Sequence, residues 1–419
     1  MLTSAAVPPH SSGLVEEASS DRGAELLAAA REILPWMVAI RRDLHQHPEL
    51  GLEEHRTSQR VREVLDELGI EHVDGLGGTG VLGLIPGRDP SRAVALRADL
   101  DALPLSDRKD VPYRSTIPGR MHACGHDVHT TILLGAARLL MARPDRPPGL
   151  VKLLFQPAEE TVGGARLLIE AGVLEDPQVE AIFGLHVDPG FPIGGVGVRY
   201  GQRNASSDDV AITIHGRSSH GAYPSTGVDA IVVAAHVITA LQSVVSRNVD
   251  AREAAVLTLG TIHGGTQRNI VANRVELVGT VRCLNPEIRR VVLQRVRELA
   301  EGVARGLGAE AEVVIDPSFD PVVNHDPMVD LVRSNAERML GPERVAVVPR
   351  PNMGVEDFGF YLTHVPGAFY SLGVRNEEAG IVHPVHHELF DVDEGCMAVG
   401  AALQVENALT AFAAARPSC

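Results

Sequence analysis

Residues 93–104 read AVALRADLDALP, an aliphatic run that ends in two aspartates, Asp99 and Asp101. Two later stretches share this build: GLVKLLFQPAEE at 149–160 ends in Glu159 and Glu160, and VEAIFGLHV at 179–187 ends at His186. Runs that are apolar throughout, rather than at alternate positions, are what a parallel sheet buried on both faces demands. Helical stretches such as DVHTTILLGAARLLMA at 127–142 separate them. The predicted fold is therefore α/β, a mostly parallel sheet covered by helices. Open sheets of this kind bind ligands beyond the carboxyl ends of their strands. The acidic and imidazole groups at three strand ends thus point at one crevice.

Further along, the order changes. Between about 200 and 315 it reads strand SDDVAITIHG, helix VDAIVVAAHVITALQSVVSR, strands AAVLTLGTIHGG and RVELVGTVRCL, helix EIRRVVLQRVRELAEGVARGLG and strand AEAEVVID. That β-α-β-β-α-β pattern is the split arrangement of a ferredoxin-like unit. Alternation resumes with MVDLVRSNAERML, GAFYSLGV and a last helix, so the unit is inserted into a discontinuous first domain. A chain of 419 residues supports two cores. The expected division is a flexible extension over 1–23, a catalytic domain over 24–200 and 316–419, and an inserted domain over 201–315.

Composition limits the partners. Lys and Arg number 38 against 54 Asp and Glu, a net charge of −16, and no basic run offers a phosphate-binding face, which excludes nucleic acid. Apolar runs such as AIVVAAHVITALQSVV are short and interrupted, so no membrane partner is expected. A small-molecule substrate remains. Four sparse cysteines, at 124, 283, 396 and 419, do not read as a disulfide framework, and the first 23 residues lack the basic head and apolar core of a secretion signal. Both readings favour the cytoplasm.

The chemistry concentrates in MHACGHDVHT at 121–130, where Cys124 stands two residues before His126, with His122 and His129 on either side. A metal site, a Cys/His nucleophile, or a buried cysteine among surface histidines would each use such residues. The rest of the chain weighs the choice. Two adjacent carboxylates that follow the apolar run LLFQPA are costly to bury unless a metal or a proton compensates them. Thiolate, imidazole and carboxylate at the ends of different strands form the donor mixture of a metal centre, and the acidic surplus suits a dication. A zinc nucleobase deaminase would need H-x-E followed by P-C-x-x-C, which the chain lacks.

Taken together, RADLDALP, MHACGHDVHT, LLFQPAEE, GLHV, SSHGAYPSTGVDA, GGTQRNIVANRVELVGTVR, GVEDFGFY and HHELFDVDE resemble, in order, the dinuclear metal-dependent amidohydrolases that include hippurate hydrolase, N-acyl-amino-acid amidohydrolases and auxin-conjugate hydrolases, a branch of the aminoacylase and carboxypeptidase superfamily. The resemblance implies a zinc-exopeptidase-like catalytic domain with two divalent ions (Mn, Zn, Co or Ni) and an inserted lid that also dimerises. It implies Cys124 bridging both ions, His126 and His186 on one, Glu160 and His386 on the other, and Glu159 as general base. His387 is the alternative to His386. Asp99 stands where the wider family has a ligating histidine, and Asp101 would clamp an imidazole. With two ions on Cys124, the nucleophilic-cysteine reading leaves the glutamates and His186 without a purpose.

Amide hydrolysis of N-acyl-amino acids is the expected activity. A dipeptidase or carboxypeptidase using the same site and a non-catalytic metal-binding relative are the alternatives. The resemblance further implies that His220 in GRSSHGAYPSTGVDA donates to the oxyanion, often across a dimer, and that Asn269 in GGTQRNIVANR holds substrate. A homodimer or higher homo-oligomer formed through the inserted domain follows, since a small β-α-β-β-α-β unit has a free sheet edge.

Overall fold

The computed structural model describes residues 12–414, the side chains of 12–21 excepted. The chain opens with α1 (Ser12–Glu32), and Pro35 in the first turn of α2 (Leu34–Gln46) sets the break between the two helices. Residues 12–23, expected as part of a flexible extension, lie in this helix, and no proline interrupts it. The rest of that expected extension, residues 1–11, lies outside the described residues. Arg22 fixes the helix by a bidentate pair with Glu406, its Nε donating over 2.7 Å.

Next come α3 (His55–Glu67), β1 (Glu71–Leu76), β2 (Gly80–Ile85) and β3 (Asp89–Asp99). They are followed by α4 (His126–Ala142), β4 (Gly149–Gln156), α5 (Gly164–Glu170), β5 (Val179–Pro192) and β6 (Val196–Val198). A second compact unit, residues 199–324 and 349–364, then begins. It contains β7 (Gly201–Asn204), β8 (Ser207–His215), α6 (Ala230–Asn248), β9 (Ala255–Gly264), β10 (Arg274–Cys283), α7 (Pro286–Gly306), β11 (Glu310–Phe319) and β12 (Val322–Asn324). The chain returns to the first unit with α8 (Asp326–Leu340) and β13 (Val345–Val347), gives α9 (Phe358–Leu362) to the second, and ends in the first with β14 (Gly367–Arg375) and α10 (Cys396–Ala414).

The first unit is built on an eight-stranded sheet ordered β1-β2-β4-β3-β5-β14-β6-β13. Its centre, β4-β3-β5-β14, is parallel, as the continuous apolar runs require. Antiparallel pairs at β1/β2, β2/β4 and β14/β6 make the sheet mixed toward its sides. In register, Arg97 of β3 lies opposite Leu154 of β4 and Gly184 of β5, so Asp99, Glu159 and His186 all leave the sheet at its carboxyl end. α10 has the length and apolarity of a membrane span, but 83% of its apolar window is buried.

The second unit carries an antiparallel sheet ordered β11-β8-β10-β9, with α6 and α7 burying Val233, Val237, Leu241, Val292 and Val296 on one face. α6 also reaches span-like hydropathy, contrary to the reading of its run as too interrupted. Its buried stripe Val233, Val237, Leu241, Val244 packs in this unit's core. The compact units divide at 199 and 324 rather than at 201 and 315. Residues 349–364 also fall in the second unit, where Asn352 N–H donates to Arg203 O over 2.8 Å and Ala205 N–H to Gly354 O over 3.1 Å.

Candidate metal centre

Two donor sets share one thiol at the sheet's carboxyl end. Ligand atoms of Cys124, His126 and His186 lie within 4.8 Å of one another, and so do those of Cys124, Glu160 and His386. Cys124 Sγ is 3.3 Å from Nε2 of both His186 and His386. Glu160 Oε1 is 3.1 Å from His386 Nε2 and 3.9 Å from His126 Nε2. Glu159 joins His126 and Glu160 in a third such group.

Local backbone explains the convergence. Gly125, at φ 85°, caps α4 so closely against Val187 that a Cβ would collide with it. The turn sets Cys124 before the helix and His126 at its first residue. His386, itself at φ 61°, is drawn in by its N–H donating to Ala123 O over 2.8 Å. Asp101 accepts the N–H of Glu159 at 3.1 Å and of Glu160 at 3.0 Å, and faces His126 Nδ1 at 3.3 Å. One carboxylate thereby orders both glutamates and an imidazole.

Asp99 is engaged at both oxygens. Oδ2 accepts from Arg97 Nη1 and Oδ1 meets His129 Nδ1, each at 2.7 Å. His129 accepts the Val187 N–H at Nε2 over 2.9 Å, so its proton sits on Nδ1, toward Asp99. His387 stacks on His383 at 4.6 Å and accepts the Leu389 N–H, and it joins none of the donor groups found among the described residues.

Charge follows burial and neighbours. Burial pushes the Cys124 thiol well up, and Glu160 and Glu159 push it further. Burial opposes charge on His126, but Asp99, Asp101 and Glu160 outweigh it and raise the imidazole to about 10. Burial works against ionised Glu160, yet His386 and His126 hold that carboxyl below its usual range. His186 is pushed well down by burial and by His129, and stays neutral. His126 Nε2 is buried and finds no hydrogen-bond partner among the described residues. A thiol, an unpartnered imidazole nitrogen and a carboxylate around one space fit a divalent cation, which would replace the protons on Cys124 and His126.

His220 and Asn269 lie together in the second unit. Gly221 N–H donates to Asn269 O over 2.8 Å and Val271 N–H to Ser219 O over 2.9 Å, which ladders the two loops. Both side chains are exposed, and His220 Nδ1 accepts the Ala222 N–H over 3.1 Å. The sequence reading did not assign His129, Arg97 or a buried cluster behind α4. In that cluster Arg41 Nε donates to Asp127 Oδ2 over 2.8 Å, His45 Nδ1 meets the same oxygen at 2.7 Å, and Lys109 Nζ lies 2.9 Å from His45 Nε2. His129 sits inside the quoted motif, and its i+3 spacing from His126 was the available signal. Arg41, His45 and Lys109 carry no motif.

The sequence profile of Peptidase family M20/M25/M40 matches residues 95–408. N-acetylcysteine deacetylase of Bacillus subtilis is 39% identical over 374 residues, 89% of this chain and 96% of that protein. Thermostable carboxypeptidase 2 of Saccharolobus solfataricus is 37% identical over 374 residues, 88% of this chain and 94% of that protein. Among solved structures, the Bacillus subtilis YXEP protein, described as a dinuclear metal binding peptidase of the M20 family, superposes with a TM-score of 0.80 at 35% identity, covering 91% of this chain and 98% of that one.

Proposed function

The chain belongs to peptidase family M20/M25/M40, and from that premise we propose a metal-dependent amidohydrolase that cleaves the amide bond of N-acyl-amino acids, whether hippurate-like, N-acetyl or related conjugates. The observation that carries this is the pair of donor sets sharing Cys124, with Glu159 beside Glu160 on the Asp101 clamp. Cys124, His126 and His186 would hold one ion, and Cys124, Glu160 and His386 the other. Zinc suits the thiolate, while two imidazoles with a carboxylate also accept manganese, cobalt or nickel. When bound, the ions supply Lewis acidity to the amide carbonyl and to the attacking water.

The remaining work belongs to side chains. Glu159 takes the proton of the attacking water and delivers it to the departing nitrogen. Asp101 keeps Glu159 and Glu160 in place through their amides and holds His126 from its Nδ1 side. His220 donates to the developing oxyanion, and Asn269 binds the substrate. The deacetylase relative supports the N-acyl reading. The carboxypeptidase relative favours a second one, the same machinery acting on dipeptides or peptide ends. Hippurate, N-acetyl-amino acids and dipeptides assayed side by side separate the two. Acyl release with little dipeptide cleavage supports the first, dipeptide cleavage alone supports the second, and metals bound with no turnover on any substrate would overturn both.

A homodimer through the second unit completes the proposal. Its support is the open edge at β9, where Ile262 is half exposed, as are Ile231 and Val232 of α6 in the same unit. The cytoplasm is the proposed compartment, in keeping with Cys124, Cys283 and Cys396 being free and buried.

A further inference from the structure

After β4 the chain passes Pro157 and turns at Ala158, whose φ of 55° is left-handed and unfavourable for any residue with a Cβ. Three successive amides are captured there. Ala158 N–H donates to Glu54 Oε1 over 2.8 Å, Glu159 N–H to Asp101 Oδ1 and Glu160 N–H to Asp101 Oδ2. Glu54 is fully buried at the start of α3, 104 residues from Ala158 in sequence. Its other oxygen accepts from Thr79 Oγ1 over 2.7 Å, and Ser58 Oγ donates to Thr79 O. The carboxylate is thus held at both oxygens, on a scaffold separate from the Asp101 clamp.

We propose that Glu54 is a positioning residue for the reaction: it holds Ala158 left-handed and thereby aims the two carboxylates that follow. Asp101 fixes the peptide planes leading into Glu159 and Glu160, but it does not reach the one before them. Without Glu54, Ala158 relaxes toward negative φ, and the directions of both glutamate side chains change with it. The proposal rests on the reading of Glu159 as base and Glu160 as ligand.

The test combines kinetics, cobalt binding and a backbone rescue. Glu54→Ala should lower kcat about tenfold or more with KM little changed, the scale of the left-handed penalty for alanine. It should also weaken cobalt(II) binding followed by visible absorption. Glu54→Gln keeps an oxygen for the Ala158 N–H and should retain most of both. Adding Ala158→Gly to Glu54→Ala should restore activity severalfold, because glycine adopts positive φ without the Cβ clash. Undiminished kcat and cobalt affinity in Glu54→Ala, or a loss that Ala158→Gly leaves untouched, would overturn the proposal. Should Glu54→Ala fail to fold, Thr79→Val, which removes the donor to the second oxygen, carries the same expectations at smaller size. A Glu159→Gln control that still turns over would remove the base assignment alone, and cobalt affinity would then decide the role of Glu54.

Discussion

The two polar clusters of this protein are built in opposite ways. In the first unit the donors around Cys124 are mostly buried, and most are oriented by a second group: Asp101 under the glutamates and beside His126, the Val187 carbonyl at His186 Nδ1, and the Ala123 carbonyl under His386. In the second, His220 and Asn269 are set side by side by a backbone ladder, but their side chains stand in solvent. Buried donors with opposed charges are expensive to assemble and make sense as a preformed receptor for cations. Exposed polar groups cost nothing to display and act only on what arrives. The first cluster is therefore expected to govern metal loading and chemistry, and the second to govern turnover alone.

The sharpest way to break that division is Glu159→Gln. It should keep the bound metals and lower kcat by about a hundredfold or more, the loss of a general base. Metal analysis beside a kinetic assay checks it, and lost metals would show that Glu159 is a ligand. His220→Ala should keep metals too and cost about a hundredfold in kcat, as loss of one oxyanion donor does. Mixing these two variants, with subunit exchange verified, should recover part of the activity if the histidine acts across a dimer.

Proton competition tests metal loading rather than turnover. Cys124 and His126 hold protons without metal, and both are raised above their ordinary values, so loading must displace them. Affinity should rise with pH, by about tenfold per unit for each proton displaced, up to the His126 value of about 10. Chelator competition at pH 6, 7 and 8 measures this, and a flat profile would contradict the donor set. Smallest of all, His387→Ala should alter activity by no more than about twofold, whereas His386→Ala should lose metal.

The sheet and the donors at its carboxyl end were legible in sequence because a buried parallel strand is apolar throughout, and the polar residue that ends it stands out. The split order β8-α6-β9-β10-α7-β11 was legible for the same reason, since each element carries its own period. What long-range pairing decides was not. The second unit reclaims residues 349–364 through hydrogen bonds such as that of Asn352 to Arg203, which no local pattern announces. Glu54, in GLEEHRTS, reads as one more charge ahead of a helix until Ala158 is brought onto it. His129 lay in view, but its part depends on the Val187 amide of β5, 58 residues away in sequence.

The central claim is that Cys124 joins two donor sets into one dinuclear centre. Cobalt(II) titration of wild type and Cys124→Ser, followed by thiolate-to-cobalt absorption and metal stoichiometry, tests it most directly. About two ions per chain with a thiolate band in wild type, and a lost band with weakened binding of both ions in the variant, is the predicted result. Two tightly held ions and full turnover in Cys124→Ser would contradict it.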